Sequence, residues 1–461
     1  MKKFFCEVIK IFFIFLIFIS YVKSSRLSKR SVAIGDDNYK WSHGVIMYKI
    51  NEKVFNSSRI LSIFRAMRHW EASTCVKFVE LDTKILHPDY IFFTKSEEKK
   101  CDSNVGQYYC AENPIRLADS CTHQDIIRQL GHIIGLYFEH QRPDRDEYVK
   151  VHDINIQSNH EFDFEKQDKK NVRTFGFPYD FNSIMQVGRR VGARSESEDT
   201  LTPVKKVNGK LPVIGDAKGA SEIDIQVVNL LYNCPKCGRT IQETSGVIKS
   251  PVTPESLYSN QVIECEWRML APHGHRIKFA ITSLDIYETA DCATDYLEIA
   301  DGYSDDKALR RKFCRTGNEA SLHSTDNRML VKYRKSGEST HKGFTAQYQQ
   351  TCNHTIFVDG KTVHLESPNY PEPYGANQQC FWRLVAPENH QLAVKLDFVE
   401  LENEEDNCSL KFDDGRTETS ACALDKAAEY FSSDNYLNVT FIPRSTGRNG
   451  FSISVAVKIL V

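Results

Sequence analysis

The sequence has no excess of charge of one sign, because 59 lysine and arginine residues stand against 61 aspartate and glutamate residues, a formal net charge of −2. A near-neutral chain gives no electrostatic reason to expect nucleic acid or a membrane surface as a partner. Hydrophobic residues make up 41% and charged residues 26%, which are ordinary globular values. A mainly disordered, collagen-like or polytopic membrane chain is therefore excluded.

Long hydrophobic runs are also missing. The unbroken apolar run Ile11 to Ile19 is nine residues long, well short of the ~20 residues that span a bilayer. It follows two lysines and precedes small residues at Ser24 and Ser25, which is the pattern of a secretion signal. We predict that residues 1–24 are a signal peptide and that the protein is secreted; a membrane anchor is the weaker alternative.

A dibasic stretch follows this segment. Residues 25–30 end in Lys29-Arg30, which is typical of sites cut by processing proteases. We expect a short pro-segment over 25–30 and Ser31 as the new N-terminus; a solvated charge run is the alternative.

Cysteine is abundant, with 14 residues along the chain. Many cysteines in a secreted chain indicate disulfides. Removal of Cys6 with the signal peptide leaves 14 − 1 = 13, an odd number. One thiol therefore lacks a partner within the chain. The 461 residues suffice for roughly three domains at ~100–200 residues each.

The second half contains an internal repeat with an offset of 115 residues. This offset relates Cys237 to Cys352, Cys265 to Cys380 and the Ala-Pro pairs at 271 and 386. So many matches at one offset indicate two copies of one module. Short alternating strands with frequent turns predict a β-sandwich for each copy, over 237–349 and 352–461.

Each copy resembles a CUB domain, on the pattern of a cysteine followed 28 residues later by Cys-x-Trp-x-x-x-Ala-Pro. The resemblance implies a jelly-roll-like sandwich and four disulfides: Cys237–Cys265, Cys292–Cys314, Cys352–Cys380 and Cys408–Cys422.

Many CUB domains bind Ca²⁺ through one Glu and two Asp, hard oxygen ligands. The first copy retains Asp295, but Tyr287 and Ser336 stand at the other two positions, with Glu288 one place late. One carboxylate of three in register argues against strong calcium binding. The second copy has Lys411 at the position that matches Asp295, so no site is expected there.

The segment from Asp125 to Asp146 resembles the zinc-binding signature of the astacin metallopeptidases, His-Glu-x-x-His-x-x-Gly-x-x-His-Glu followed by Arg-Pro-Asp-Arg-Asp. The resemblance covers 31–234 and implies an α+β metzincin-like domain with a Met-turn at Met185. It also implies the disulfides Cys75–Cys234 and Cys101–Cys121. The overall expectation is a multidomain chain, an α+β metzincin-like domain followed by two all-β CUB sandwiches.

The residues of the signature that carry the chemistry are replaced. In the family, three His bind Zn²⁺ and a Glu serves as general base for the metal-bound water. Here Arg128 and Phe138 stand at two ligand positions, Gln129 stands at the base position, and His132 is the surviving ligand. Val187 stands where the family commonly has a Tyr. We predict no catalytic residue, no metal ligand set and no cofactor.

Arg128 opposes zinc binding more strongly than a neutral replacement would, because its guanidinium stays protonated and has no lone pair to offer to the metal. We expect His132 to be a hydrogen-bonded core histidine. A structural role for Arg128, paired with a nearby acid, is a further hypothesis.

Twelve of the 13 mature cysteines are used by the six bridges that the two resemblances imply, and Cys110 remains. It is either a buried or capped thiol or one half of an intermolecular disulfide. Sequons at Asn56, Asn353 and Asn438 predict N-glycosylation, with a poorer one at Asn407.

The leading hypothesis is a secreted astacin-like pseudoprotease that binds extracellular proteins or peptides through its cleft and CUB domains. The alternatives are an active zinc metalloendopeptidase with a non-standard site, and an adhesion or matrix-binding protein whose first domain is a spacer.

Overall fold

The computed structural model describes residues 33–459, except 82–88, 99, 109–111, 159, 252–261, 304–306, 318–319, 337–340, 377, 403–407, 422–428 and 445. The predicted signal peptide, the pro-segment, Cys110, Cys422 and the Asn407 sequon lie outside the described residues. Contacts divide the chain into two compact units. The first contains the residues up to Asn56 and Ala66–Cys234, and the second contains Ser57–Arg65 and Pro235–Val461.

The domain before Cys234 combines helices with a five-stranded sheet of order β3-β2-β4-β6-β5, in which β5 at the edge runs antiparallel to β6. Its strands are β1 (Ala33–Ile34), β2 (Val45–Ile50), β3 (Lys77–Glu80), β4 (Tyr90–Lys95), β5 (Asp102–Ser103), β6 (Glu112–Leu117), β7 (Val149–Val151), β8 (Val172–Arg173) and β9 (Leu201–Pro203). Its helices are α1 (Ser57–Ser73), α2 (His123–Ile134) and α3 (Glu222–Leu231).

Helix α2 is defined at both ends by its sequence. Thr122 and Asp125 form a capping box, each side chain accepting the other residue's backbone N–H. Gly135 ends the helix with φ of 118°, and its N–H donates to the Gly131 and His132 carbonyls. A Cβ on Gly135 would lie 2.9 Å from the Ile34 side chain, so the position needs glycine for space as well as for conformation.

The second unit contains two β-sandwiches with the same topology. The first pairs sheet β10-β12-β17-β14-β15 with sheet β11-β18-β13-β16, and the second pairs β19-β21-β26-β23-β24 with β20-β27-β22-β25. Every strand of the first sandwich thus has a counterpart nine strands later, which confirms the repeat.

The strands of the first sandwich are β10 (Thr240–Ile241), β11 (Ser245–Lys249), β12 (Ile263–Leu270), β13 (Arg276–Asp285), β14 (Tyr296–Asp301), β15 (Arg310–Phe313), β16 (Ala320–His323), β17 (Arg328–Lys335) and β18 (Gly343–Thr351). Those of the second are β19 (His354–Phe357), β20 (Val363–Glu366), β21 (Cys380–Val385), β22 (His390–Glu400), β23 (Leu410–Asp413), β24 (Glu418–Ala421), β25 (Glu429–Phe431), β26 (Tyr436–Phe441) and β27 (Gly450–Ile459).

Each sandwich has its own core between its two sheets. Phe279, which is fully buried, belongs to the core of the first, and the fully buried Trp382 belongs to the core of the second. Two separate cores agree with two modules that each bury their own apolar face.

Disulfides connect distant segments in all three domains. The described residues contain Cys75–Cys234, Cys101–Cys121, Cys237–Cys265, Cys292–Cys314 and Cys352–Cys380. Cys408 is also disulfide-bonded. No helix in the described part of the chain has the length and hydropathy needed to cross a bilayer.

The last strand of each sandwich begins at a glycine held against a serine. Gly343 and Gly450 have φ of 89° and 87°, and a Cβ on either would overlap the hydroxyl of Ser250 or Ser367, respectively. Each hydroxyl accepts the N–H of the residue that follows the glycine, at 3.0 and 3.1 Å. The repeat therefore preserves the same close contact in both copies.

We predict that Gly450→Ala lowers the unfolding free energy by about 2–4 kcal/mol, because the methyl group combines left-handed strain with displacement of Ser367. Gly360→Ala is the matched control: Gly360 has φ of 90° with nothing within 4 Å of its Cβ, so only the strain of about 1–2 kcal/mol applies. Calorimetric unfolding of the two variants tests this, and equal losses would contradict it.

Candidate functional site

The candidate site lies along the inner face of helix α2, which carries Arg128, Gln129 and His132. Met185 lies beneath this helix and is fully buried. A Cβ on Gly131 would come within 2.7 Å of the Met185 sulfur, so the helix and the predicted Met-turn are in close contact there.

Arg128, at the first ligand position, has structural partners. Its Nη1 donates to Asp125 Oδ1 at 2.6 Å, one helical turn earlier, and its Nε donates to the Ile184 carbonyl at 2.8 Å. The guanidinium therefore ties the first turn of helix α2 to the residue before Met185. The sequence hypothesis of a nearby acidic partner is met by Asp125.

Gln129, at the general-base position, is 4% exposed and hydrogen-bonded through both ends of its amide. Its Nε2 donates to the Cys101 carbonyl at 3.1 Å, and its Oε1 accepts from Ser103 Oγ at 2.9 Å. A buried amide needs such partners to offset its lost hydration. Gln129 thus fastens the helix to edge strand β5 and to the Cys101–Cys121 bridge.

His132 and Phe138 fill the remaining ligand positions as a packed pair. Their rings meet edge to face with centroids 4.4 Å apart, and His132 Nδ1 lies 2.8 Å from the Leu136 carbonyl. Because a carbonyl only accepts, Nδ1 carries the proton in this contact. Burial lowers the pKa of His132 to about 4. The imidazole is therefore neutral at physiological pH.

His140, two residues beyond Phe138, is also structural. Its Nε2 donates to the Asp163 carbonyl at 2.8 Å, and its ring packs against Phe138 and Phe164. Burial lowers its pKa to about 3. His123, five residues before Arg128, is the first residue of helix α2.

The turn at Met185 is held by Asp224 of helix α3. Asp224 accepts from Ser183 Oγ at 2.6 Å and from the Ile184 N–H at 2.9 Å, and burial raises its pKa to about 6. Val187, at the family's Tyr position, is 4% exposed within an apolar cluster. It offers no polar group to a substrate.

Next to this turn, Glu139 and Arg142 form a buried ion pair at 3.0 Å, and Arg142 also contacts Asp144 at 2.9 Å. The Asp180 N–H donates to Glu139 Oε1 at 2.8 Å. Burial raises the pKa of Glu139 to about 8, an effect that Arg142 opposes. These contacts form a buried salt-bridge cluster.

The residues at the signature do not fit a catalytic zinc ion. Such a site takes three protein ligands, and here one neutral imidazole stands beside a permanent cation and an apolar ring. Among the described residues, the one grouping of three metal-type side chains is His275, Cys352 and Cys380, and both of its sulfurs are committed to a disulfide.

Asp295, the carboxylate retained at the calcium position of the first sandwich, is hydrogen-bonded within the protein. Asp295 is 1% exposed and accepts from the Ser336 N–H at 2.8 Å and from Thr294 Oγ1 at 2.9 Å. Tyr287 is half exposed and packs against His341. In the second sandwich, Lys411 pairs with Glu418.

The fold and site define an α+β domain of metzincin type followed by two β-sandwiches. Residues 33–233 match the astacin peptidase family, and residues 237–348 and 352–455 match CUB domains. The chain therefore contains an astacin domain followed by two CUB domains, in an arrangement like that of the tolloid proteins.

The chain is similar to Bone morphogenetic protein 1 of Xenopus laevis, with 36% identity over 90% of this chain and 59% of that protein. It is 35% identical to human Tolloid-like protein 1, over 89% of this chain and 41% of that protein. It thus spans about two fifths to three fifths of these relatives' lengths. High choriolytic enzyme 1, a hatching enzyme zinc-protease of medaka, is 28% identical over 47% of this chain and all of that chain, with a TM-score of 0.38.

Sequence reasoning missed two partners in the site. The sequence does not identify the acid that pairs with Arg128, although Asp125 at (i, i−3) has the spacing at which helix residues meet. The Ser103–Gln129 contact had no sequence signal, because the two residues are 26 positions apart in different elements.

We predict that His140 makes the folded first unit sensitive to acid. Its pKa lies below that of the unfolded chain, so its contribution is present above pH ~6.5 and is lost as the pH falls toward ~3. His140→Gln keeps a donor for the Asp163 carbonyl but does not titrate in this range.

Relative to wild type, His140→Gln should gain about 1.4 kcal/mol of unfolding free energy per pH unit below 6.5. Glu139 and Asp224, whose raised pKa values act with the opposite sign, are present in both proteins and cancel in the difference. Urea denaturation at pH 7.5, 6.0 and 5.0 measures the effect. A difference that is independent of pH would contradict the prediction.

Proposed function

We propose that this chain is a secreted, catalytically inactive astacin-like protein that binds extracellular protein partners through its cleft and CUB domains. The observation that carries the proposal is the use of both Arg128 and Gln129 as structural links. Neither side chain is available to bind a metal or to accept a proton from water. The five disulfides among the described residues agree with an extracellular location.

Electrostatics supports the loss of zinc. At 4 Å, two unit charges repel by about 4 kcal/mol at an effective dielectric constant of 20, and a dication doubles this. Asp125 neutralises Arg128 but is itself engaged by that contact and by the helix cap. A cation entering beside His132 would have to break this pair and find two further ligands.

The second part of the proposal, partner binding, depends on the retained scaffold. The Met185 turn, the Glu139–Arg142 pair and the helix caps all remain intact. Edge strand β5 is short and pairs on one side with β6, and such an edge can add an extended peptide as a further strand. CUB domains suggest protein interactions as well.

Two alternatives from the sequence remain distinguishable. An active zinc metalloendopeptidase would contain stoichiometric zinc and lose activity with a chelator. An adhesion protein would bind its partner equally well when the cleft is blocked. The first alternative is supported by the name of one similar protein, Zinc metalloproteinase nas-39 of Caenorhabditis elegans, which is 30% identical over 94% of this chain and 47% of that protein.

We expect the purified secreted chain to contain less than ~0.1 zinc per molecule and to leave unfolded protein uncleaved, because one nitrogen ligand does not hold the ion. The triple variant Arg128→His, Gln129→Glu, Phe138→His is the matched control, since it restores the three-ligand pattern and the base in the same fold. Metal analysis and a chelator-controlled proteolysis assay measure both proteins. Stoichiometric zinc with chelator-sensitive cleavage by the wild type would overturn the proposal.

Cys110 gives a separate prediction. We predict that peptide mass mapping finds Cys110 outside any disulfide within the chain. An intermolecular disulfide would appear as a covalent dimer or adduct on a non-reducing gel, which Cys110→Ser abolishes. Peptide mass mapping identifies the partner. A bridge from Cys110 to another cysteine of the same chain would overturn the assignment of the other twelve.

A further inference from the structure

The loop between β12 and β13 of the first CUB domain contacts strand β20 of the second. The His273 N–H donates to Glu366 Oε2 at 2.7 Å, and the Glu366 N–H donates to the His273 carbonyl at 3.0 Å. His273 Nδ1 lies 3.1 Å from Glu366 Oε1. One glutamate thus makes backbone and side-chain contacts with the same residue of the neighbouring domain.

His275 extends further into the second domain and is 3% exposed. Its Nε2 donates to the Glu366 carbonyl at 3.0 Å, and its ring meets Trp382 edge to face with centroids 5.7 Å apart. A ring nitrogen lies within 4.8 Å of the sulfurs of Cys352 and Cys380. A histidine of one domain is therefore buried against the first disulfide of the next.

Gly274 completes the contact. Its carbonyl accepts from Trp382 Nε1 at 2.7 Å, which satisfies the indole of a fully buried side chain. With φ of 79°, a Cβ on Gly274 would lie 2.5 Å from Leu365 Cδ2. The core tryptophan of the second domain thus has its hydrogen-bond partner in the first, and the contact has no room for a side chain.

We propose that the tripeptide His273–His275 docks the first CUB domain onto the second as one rigid body, and that the docking is stable only while His275 is neutral. An inserted loop with buried polar contacts resembles a domain interior more than the mobile interface that is the default between domains. The partner surface is the Glu366 strand with Trp382. The CUB pair then presents its binding surfaces at a fixed relative orientation.

The proton dependence follows from the surroundings of His275. The titratable and charged groups around it are Glu366, His273, His354 of β19 and, beside His354, Arg276. Burial lowers the pKa of His275 to about 4, although the Glu366 carbonyl opposes this. After separation the ring would titrate near ~6.5. Docking is therefore fully present above pH ~6.5 and is lost as the pH falls toward ~4.

Hydrogen exchange of the full chain, read in peptides spanning 272–276, 363–367 and 380–385, tests the docking. Gly274→Ala should exchange at least tenfold faster in peptides from both domains. Gly302→Ala is the matched control, because Gly302 lies in the same domain with φ of 74° and nothing within 4 Å of its Cβ. If Gly274→Ala is not secreted, Trp382→Phe removes the indole donor and keeps the ring. Wild-type exchange in the variant would overturn the proposal.

The proton dependence of docking is tested with His275→Gln, because glutamine can still donate to the Glu366 carbonyl but does not titrate. Between pH 7.5 and 5.5, exchange at the junction, corrected for the intrinsic rate, should rise about tenfold in wild type and less than threefold in the variant. Peptide 297–301 of the first core should stay protected in both. An equal rise in both proteins, or no rise in wild type, would overturn the proton dependence.

Discussion

Buried polar groups need hydrogen-bond partners, and this constraint explains the contacts that the polar side chains of helix α2 make in the first domain. Helix α2 carries polar side chains on a largely buried face, where an unpaired donor or acceptor is costly. These side chains are satisfied by an ion pair, by an amide held at both ends and by a histidine bonded to a backbone carbonyl. These contacts join helix α2 to strand β5, to the turn at Met185 and to the residue that begins the Cys101–Cys121 disulfide.

The same constraint applies at the CUB junction, where Trp382 is fully buried in one domain and hydrogen-bonded to the other. A tryptophan indole is a donor without an acceptor, so a core position that contains it depends on a carbonyl nearby. Here that carbonyl comes from Gly274. The integrity of the second core and the arrangement of the two domains are therefore linked.

The sequence was sufficient for the architecture. The 115-residue offset predicted two copies, and the strand orders of the two sandwiches agree with it. The signature around His132 predicted which positions depart from the ligand pattern. Local signals of this kind can be recognised in the sequence because spacing along one helix or one repeat sets the geometry.

Contacts between distant elements could not be predicted in this way. Ser103 bonds Gln129 from a two-residue strand, and Gly274 bonds a tryptophan 108 residues away. Neither pairing has a periodic pattern, because it results from how whole elements pack.

The pairing of Arg128 has an evolutionary consequence. Histidine at this position would remove the contacts of Arg128 with Asp125 and the Ile184 carbonyl and would not complete a ligand set, because Phe138 would still be an apolar ring. Each one-step reversal at Gln129 or Phe138 would likewise break a packed or hydrogen-bonded contact before any ligand set was complete. A complete three-ligand set would therefore require several substitutions together, each at a position whose present side chain is already packed or hydrogen-bonded.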